Sequence, residues 1–194
     1  MKEIDFYPEI CEKFSNYLLT YLPEYSVIKY SYNKSLPQMI SEIEEKFNIT
    51  EQEKANYIPK LKLDILFGIK LKESKKITYI LLEVKYLNQL GLSEYSQLSG
   101  YLQVAQKIKL GVLFLVMKPK SNSALSNDFN EIIKTHNLPM KWKMLIDNEL
   151  NTRQLDFKTG ISYYVPNNGI EWINTVDIDG ISSFEKLANE IANA

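Results

Sequence analysis

The topology of this chain follows from the stretch LKLDILFGIKLKESKKITYILLEVKYL, residues 61–87. Two apolar runs, 61–71 and 77–87, flank the polar residues 72–76. Apolar runs of strand length that are joined by a short polar segment predict a β-hairpin. The sequence therefore predicts two antiparallel strands over these runs.

Three charged residues share one face of this predicted hairpin. With the turn centred between residues 74 and 75, Asp64 lies opposite Lys85 and Leu66 lies opposite Glu83, whereas an odd-numbered turn would break this alignment. Side chains alternate between the faces of a strand, so Asp64, Glu83 and Lys85 lie on the same face. Two neighbouring carboxylates favour a divalent cation that offsets their repulsion, and oxygen ligands favour Mg²⁺ or Mn²⁺. An adjacent lysine can orient a water or stabilise the charge that develops on a phosphate.

A helix and a buried strand follow the hairpin. Apolar residues recur at helical spacing over residues 92–108, and Ser93 is the expected N-cap. Gly111 introduces the apolar run 112–117, which is short enough for a buried strand. Strand, helix and strand form a βαβ unit, so we expect its two strands to be parallel neighbours.

The residues before the hairpin predict a helix, a strand and a helical insertion. Apolar residues at helical spacing over 7–21 predict an amphipathic helix. Residues 25–32 are rich in β-branched and aromatic side chains and predict a strand. The Glu-rich stretch 37–58 predicts an insertion of two short helices, with a capping box at residues 50–53.

The residues after the βαβ unit predict a C-terminal α+β extension. A length of 194 residues suits one sizeable domain, so we expect residues 121–194 to pack on a core formed by residues 1–120. The extension is expected to contain a loop at 121–127, a helix that ends near His136, strands near 142–146, 153–157, 161–165 and 172–176, and a closing helix from Ser182.

Composition excludes several protein classes. Hydrophobic residues make up 45% of the chain and charged residues 24%, which excludes collagen-like and disordered proteins. The single cysteine, Cys11, excludes an internal disulfide and a cysteine-based zinc or iron–sulfur site. No apolar run approaches the roughly 18 residues of a membrane span, and the N-terminus lacks the apolar core of a signal peptide. We therefore expect a cytoplasmic protein with no membrane partner.

Charge is segregated along the chain although the net charge is −1. Residues 57–143 carry 14 Lys and 6 acidic residues, whereas the flanking blocks 1–56 and 144–194 are both acidic. A basic centre fits a polyanion such as DNA, and ordinary solvated lysines are the alternative. Arg153 is the single arginine, which favours contact with phosphates over the reading of bases.

The acid-x-Lys pattern needs its context, because it occurs four times: Glu44–Lys46, Glu73–Lys75, Glu83–Lys85 and Asp156–Lys158. The first two fall in a polar helix and a turn, where solvated charge explains them. Asp156 and Lys158, with Asp147 upstream, form a rival metal site. The pair Glu83–Lys85 is followed by Gln97 and Tyr101, which are four residues apart and therefore share one face of the predicted helix.

These residues, taken in order, resemble the PD-(D/E)XK nuclease superfamily, above all its RecB-like members. The resemblance is carried by Asp64, by Glu83-Val84-Lys85 at the end of an apolar strand, by the Gln-x-x-x-Tyr helix and by the buried strand, over roughly residues 57–117. It implies an α/β fold with a restriction-endonuclease-like αβββαβ core, a mixed sheet flanked by helices. The helices and strands predicted above follow this order.

The resemblance also implies the composition of the active site. Asp64 and Glu83 would be metal ligands, with the Val84 carbonyl as a third and Mg²⁺ or Mn²⁺ as the cofactor. Lys85 would lie near the attacking water.

Further site residues are implied outside this pair of strands. Gln97 and Tyr101 would support the site or hold the substrate phosphate. Many family members add an acid from the first helix, for which Glu9 is preferred over Glu12. Pro59 lies five residues before the aspartate instead of next to it, and the four cysteines of iron–sulfur relatives are absent.

We therefore expect a divalent-metal-dependent nuclease that hydrolyses phosphodiester bonds of DNA. The alternative is a non-catalytic module that binds nucleic acid or a partner and retains the nuclease fold. The sequence leaves the oligomeric state, monomer or homodimer, open.

Overall fold

The computed structural model describes residues 2–49, 60–72, 74, 76–105, 107–117, 123–135, 157–165, 169–173 and 180–194. A 3-10 helix, Glu3–Phe6, leads directly into the first α-helix. The α-helices are α1 (Tyr7–Leu19), α2 (Leu36–Lys46), α3 (Leu92–Val104), α4 (Asn127–Thr135) and α5 (Phe184–Ala192). The strands are β1 (Val27–Ser35), β2 (Lys62–Lys70), β3 (Thr78–Leu87), β4 (Leu110–Met117), β5 (Lys158–Val165) and β6 (Gly169–Trp172).

The strands form one six-stranded mixed sheet in the order β1-β2-β3-β4-β5-β6. Strands β1 and β2 are antiparallel to each other, as are β2 and β3. Strand β4 is parallel to both β3 and β5, and β6 is antiparallel to β5. The predicted hairpin and the predicted parallel βαβ unit are both confirmed. The α/β class, with a mixed sheet flanked by helices, is confirmed as well.

The register of the hairpin differs from the prediction. Leu66 pairs with Leu81 and not with Glu83, which is a shift of two residues. The observed register sets apolar residues opposite each other, whereas the predicted one would have placed the Glu83 carboxylate opposite a leucine. The predicted pairing of Asp64 with Lys85 is therefore wrong as well. Backbone pairing ends at Ile65 and Leu82, and the Asp64 side chain contacts the Tyr7 hydroxyl and the Val84 amide instead.

Helices cover both faces of the sheet. On one face, α1 and α5 pack on the central strands, and the Phe14 ring lies 5.1 Å from the rings of both Phe67 and Phe184. On the other face, α2, α3 and α4 pack around leucines that include Leu66 and Leu81. The central strands are therefore covered on both sides, which explains why their sequences are almost continuously apolar.

The helices flanking the hairpin begin and end differently from the prediction. Helix α1 ends at Leu19, and α2 starts at Leu36 directly after β1. The second predicted helix of the insertion, with its capping box at 50–53, lies outside the described residues. Helix α3 has Gly91 and not Ser93 at its N-cap, because the Glu94 carboxylate reaches back to accept the Gly91 amide at 2.8 Å.

The C-terminal extension continues the sheet. Strand β5 covers the strand predicted near 161–165, and β6 ends at Trp172, where the next predicted strand was expected to start. The predicted closing helix is confirmed as α5, which starts at Phe184 after Ser183, whose side chain accepts the Lys186 amide as an N-cap. The strands predicted near 142–146 and 153–157, apart from Phe157, lie outside the described residues, as does His136. In the described segments, no helix is both long enough and apolar enough to cross a membrane.

The contact of β5 with the segment before α5 leaves no room for a side chain at Gly160. A Cβ at this position would press against the carbonyl oxygen of Ile181, a backbone atom that cannot rotate away. Gly160→Ala is expected to lower the free energy of unfolding by about 1–3 kcal/mol in urea denaturation. Gly100→Ala is the control, because its Cβ meets no heavy atom within 4 Å and alanine favours a helix. Equal stabilities of the two variants would contradict the described packing.

Candidate functional site

Asp64 lies where the two strands of the hairpin separate. Backbone pairing of β2 with β3 ends at Ile65 and Leu82. Beyond this point the Asp64 side chain takes the place of a backbone acceptor, because its Oδ2 atom accepts the Val84 amide at 2.9 Å. Its Oδ1 atom accepts the Tyr7 hydroxyl at 2.7 Å. The carboxylate is half-buried and held from two sides.

Glu83 is a buried carboxylate in the same strand end. It is 2% exposed, and its Oε1 atom accepts the Lys85 ammonium at 2.6 Å. Its Oε2 atom is buried and has no hydrogen-bond partner among the residues that the structure describes. Burial, followed by the negative charge of Asp64, raises the pKa of Glu83 from its ordinary value of 4.5 to about 7. At neutral pH this carboxylate therefore requires either a proton or additional positive charge.

Lys85 supplies part of that positive charge. Its side chain is 17% exposed, so the ammonium lies at the edge of the buried region. Burial works to lower the pKa of Lys85, but the hydrogen bond and the charge of Glu83 outweigh burial and leave the pKa raised. The ammonium group is therefore cationic over the physiological range. Asp64, Glu83 and Lys85, which the sequence placed on one face, influence each other electrostatically in the structure.

Sequence reasoning missed a third carboxylate and a tyrosine at this site. Glu3 accepts the Tyr86 amide at 2.9 Å, and the Tyr7 hydroxyl lies 3.1 Å from its Oε1 atom. Burial and the neighbouring carboxylates of Asp64 and Glu3 raise the pKa of Tyr7 above its ordinary range, so its hydroxyl stays protonated. The spacing of Glu3 and Tyr7, four residues apart, was the available signal.

The acid expected from the first helix has other partners. Glu9 accepts the Tyr164 hydroxyl at 2.5 Å and forms an ion pair with Lys13 at 3.0 Å. The hydrogen bonds from Tyr164 and from Lys13 lower the pKa of Glu9. Glu12 is exposed, and its charge acts on Tyr30. The N-terminal acid that contacts the residues around Asp64 is Glu3.

Gln97 and Tyr101 lie together on α3. The Gln97 amide donates to the Tyr101 hydroxyl at 2.9 Å, and the Gln97 side chain is exposed. Glu94, in the first turn of α3, accepts hydrogen bonds from the Gly91 amide and the Ser93 hydroxyl. Burial works to raise the pKa of Glu94, but hydrogen bonds from Ser93 and Gly91 outweigh burial and leave it lowered. The charge of Lys85 adds a smaller contribution in the same direction, which connects the start of α3 to the acidic site electrostatically.

The donor set fits a divalent cation in its charge and in its unsatisfied oxygen. When Glu83 is ionised, Glu3, Asp64 and Glu83 place three carboxylates around the single positive charge of Lys85. The buried Oε2 atom of Glu83 has lone pairs to offer. Within the described ranges no group of three or more His, Cys, Asp or Glu side chains is placed to hold a metal ion. The set expected from the sequence has two such side chains, with the Val84 carbonyl as its third donor.

The rival site at the C-terminal end of the chain lies largely outside the described residues. This holds for both Asp147 and Asp156. Lys158, at the start of β5, forms an ion pair with Glu190 of α5 at 2.8 Å. That lysine therefore has a structural role between strand and helix.

The raised pKa of Glu83 predicts a pH-dependent stability. Between about pH 7 and its ordinary pKa of 4.5, the folded protein binds a proton at Glu83 more tightly than the unfolded chain does. Relative to Glu83→Gln, the wild-type protein in EDTA should therefore gain roughly 1 kcal/mol of stability per unit as pH falls through this window. Urea denaturation at pH 5, 6, 7 and 8 measures the difference. If the stability difference between the wild-type protein and Glu83→Gln does not change with pH, the pKa of Glu83 is not raised.

Comparison with known proteins gives no match for this chain. Family models, curated proteins and solved structures were all compared, and none matches. A functional assignment therefore rests on the geometry around Asp64 and Glu83 and on the motifs of the sequence.

Proposed function

We propose that this protein is a divalent-metal-dependent nuclease that hydrolyses phosphodiester bonds of DNA. The proposal rests on the surroundings of the Glu83 carboxylate, which is 2% exposed. One of its oxygens pairs with the Lys85 ammonium, and the other has no hydrogen-bond partner in the described part of the chain. Such a group is costly unless a positive charge completes its surroundings. When bound, Mg²⁺ or Mn²⁺ supplies Lewis-acid chemistry that offsets phosphate charge and lowers the pKa of a water.

The residues of the chain have separate roles in this proposal. Asp64, Glu83 and the Val84 carbonyl would hold the cation. Lys85 remains protonated and reaches solvent with part of its side chain, so its ammonium can orient the attacking water or stabilise charge on the phosphate.

The order of helices and strands supports the nuclease interpretation. Helix α1, strands β1, β2 and β3, helix α3 and strand β4 follow one another as αβββαβ, with α2 inserted between β1 and β2. The charged residues lie in the carboxyl half of β3, next to the parallel strand β4. Ligands in α/β proteins commonly bind at the carboxyl ends of parallel strands. A restriction-endonuclease-like core is the arrangement we propose.

DNA is proposed as the substrate because of charge and side-chain chemistry. The central block 57–143 carries 14 Lys against 6 acidic residues. Gln97 and Tyr101 offer an exposed amide and a hydroxyl on one face of α3, and in this proposal they contact a phosphate. Because the chain has a single arginine, the residue best suited to paired hydrogen bonds with bases, we expect cleavage with little sequence preference.

One observation favours the second candidate, a non-catalytic binding module. The pKa of Glu83, about 7, allows a proton to neutralise the buried carboxylate without any cation. A module of this kind would bind DNA or a protein partner and would leave it intact.

Cleavage assays separate the two candidates. Wild-type protein is incubated with circular single-stranded, supercoiled duplex and linear duplex DNA, each with Mg²⁺, Mn²⁺ or EDTA. We expect metal-dependent degradation that falls by about 100-fold or more in Asp64→Asn, Glu83→Gln and Lys85→Met. Glu190→Gln, which removes a carboxylate from an ion pair on α5, is the matched control and should retain the wild-type rate.

Which of the three DNA substrates are degraded indicates the mode of cleavage. Degradation of linear DNA alone would indicate that the enzyme needs an end. Intact DNA that is bound under every condition would favour the binding module. The absence of both cleavage and DNA binding would contradict the nuclease and a DNA-binding module, and would leave only a module that binds a protein partner.

A further inference from the structure

Hydrogen bonds and one close polar contact join the N-terminal turn to the open end of the hairpin. The Val84 amide donates to Asp64, the Tyr7 hydroxyl lies between Asp64 and Glu3, and the Tyr86 amide donates to Glu3. The two amides belong to residues two apart in β3, so they point to the same side of the strand. We call Glu3, Tyr7 and Asp64, with these two amides, the N-terminal clasp.

The Tyr7 hydroxyl lies between the two carboxylates of the clasp and can donate to one of them at a time. The hydroxyl has one proton, and the shorter distance, 2.7 Å against 3.1 Å, assigns the donated hydrogen bond to Asp64. The Tyr7 residue is 3% exposed, and its ring packs edge-on against the ring of Tyr32 at 6.1 Å between centroids. The hydroxyl is therefore fixed in position by the packing of α1 on the sheet.

The clasp determines the orientation of the Asp64 carboxylate. Each of its oxygens accepts one hydrogen bond, one from the Tyr7 hydroxyl and one from the Val84 amide. A carboxylate oxygen has two lone pairs, so each keeps one for a cation. Hydrogen bonds of this kind around a ligand orient it and increase metal affinity.

We propose that Tyr7 is a positioning residue that holds Asp64 for the divalent cation, with Glu3 as the anchor of the clasp on β3. The inference rests on the metal-dependent site proposed above. Tyr7 acts through Asp64 and does not itself contact the cation or the substrate.

The test compares Tyr7→Phe with Tyr32→Phe, which removes a hydroxyl from the neighbouring ring. Thermal unfolding is measured against Mn²⁺ concentration, and cleavage of linear DNA is measured over the same titration. In Tyr7→Phe the half-saturating Mn²⁺ concentration should rise about 10- to 100-fold in both measurements, while the rate at saturating Mn²⁺ stays within a few-fold of wild type. Tyr32→Phe should titrate like the wild-type protein.

A second readout needs no metal. In the metal-free protein, hydrogen exchange of the Val84 amide should be faster in Tyr7→Phe than in Tyr32→Phe, because Asp64 is then held from one side only. If Tyr7→Phe does not fold, Glu3→Ala takes its place, because it removes the acceptor of the Tyr86 amide that anchors the turn before Tyr7 on β3. The half-saturating Mn²⁺ concentration should rise in this variant as well.

The outcomes distinguish this inference from the proposed function. A wild-type protein without a Mn²⁺ response would overturn both. A normal wild-type response with an unchanged midpoint in Tyr7→Phe would overturn the role of Tyr7 alone. Lower thermal stability of the variant with an unchanged midpoint would also overturn it, because Tyr7 would then serve the fold only.

Discussion

The burial of the Glu83 carboxylate is the constraint on which the site depends. Strand β3 lies between β2 and β4, with helices on both faces, so a charge in it loses nearly all contact with water. The Lys85 ammonium pairs with one of the Glu83 oxygens, and the nearby negative charge of Asp64 further disfavours the ionised form of Glu83. A protein keeps such a group only with compensation by a proton, a cationic side chain or a metal ion. The proposed metal chemistry is one of these forms of compensation.

The separation of β2 from β3 gives the site its shape. The two strands pair up to Ile65 and Leu82. Beyond this point the carboxylates of Asp64 and Glu3 accept the Val84 and Tyr86 amides of β3, which a neighbouring strand would otherwise bind. These carboxylates have a structural role in the sheet and lie beside Glu83 and Lys85. The structure at the end of the β2–β3 pairing and the electrostatics of the site therefore depend on the same residues.

The alternation of residues along β2 and β3 predicts Asp64, Glu83 and Lys85 close together, and in the structure their charges act on one another although the pairing differs by two residues. The parallel pairing of β3 and β4 also followed from local patterns. Glu3 and Tyr7 were missed because their contacts span 83 and 57 residues of sequence, and no local pattern specifies such pairs. Ser93 was chosen as the cap of α3 because serine is favoured there, whereas Glu94 stabilises Gly91 in that position.

The central claim is that Asp64 and Glu83 form a binding site for a divalent cation. Calorimetric titration of Mn²⁺ into the wild-type protein, Asp64→Asn and Glu83→Gln at pH 8 tests it most directly, because pH 8 lies above the pKa of Glu83. We predict saturable binding at a single site in the wild-type protein and its loss in both variants. Absence of binding in the wild-type protein, or equal binding in all three proteins, would contradict the claim.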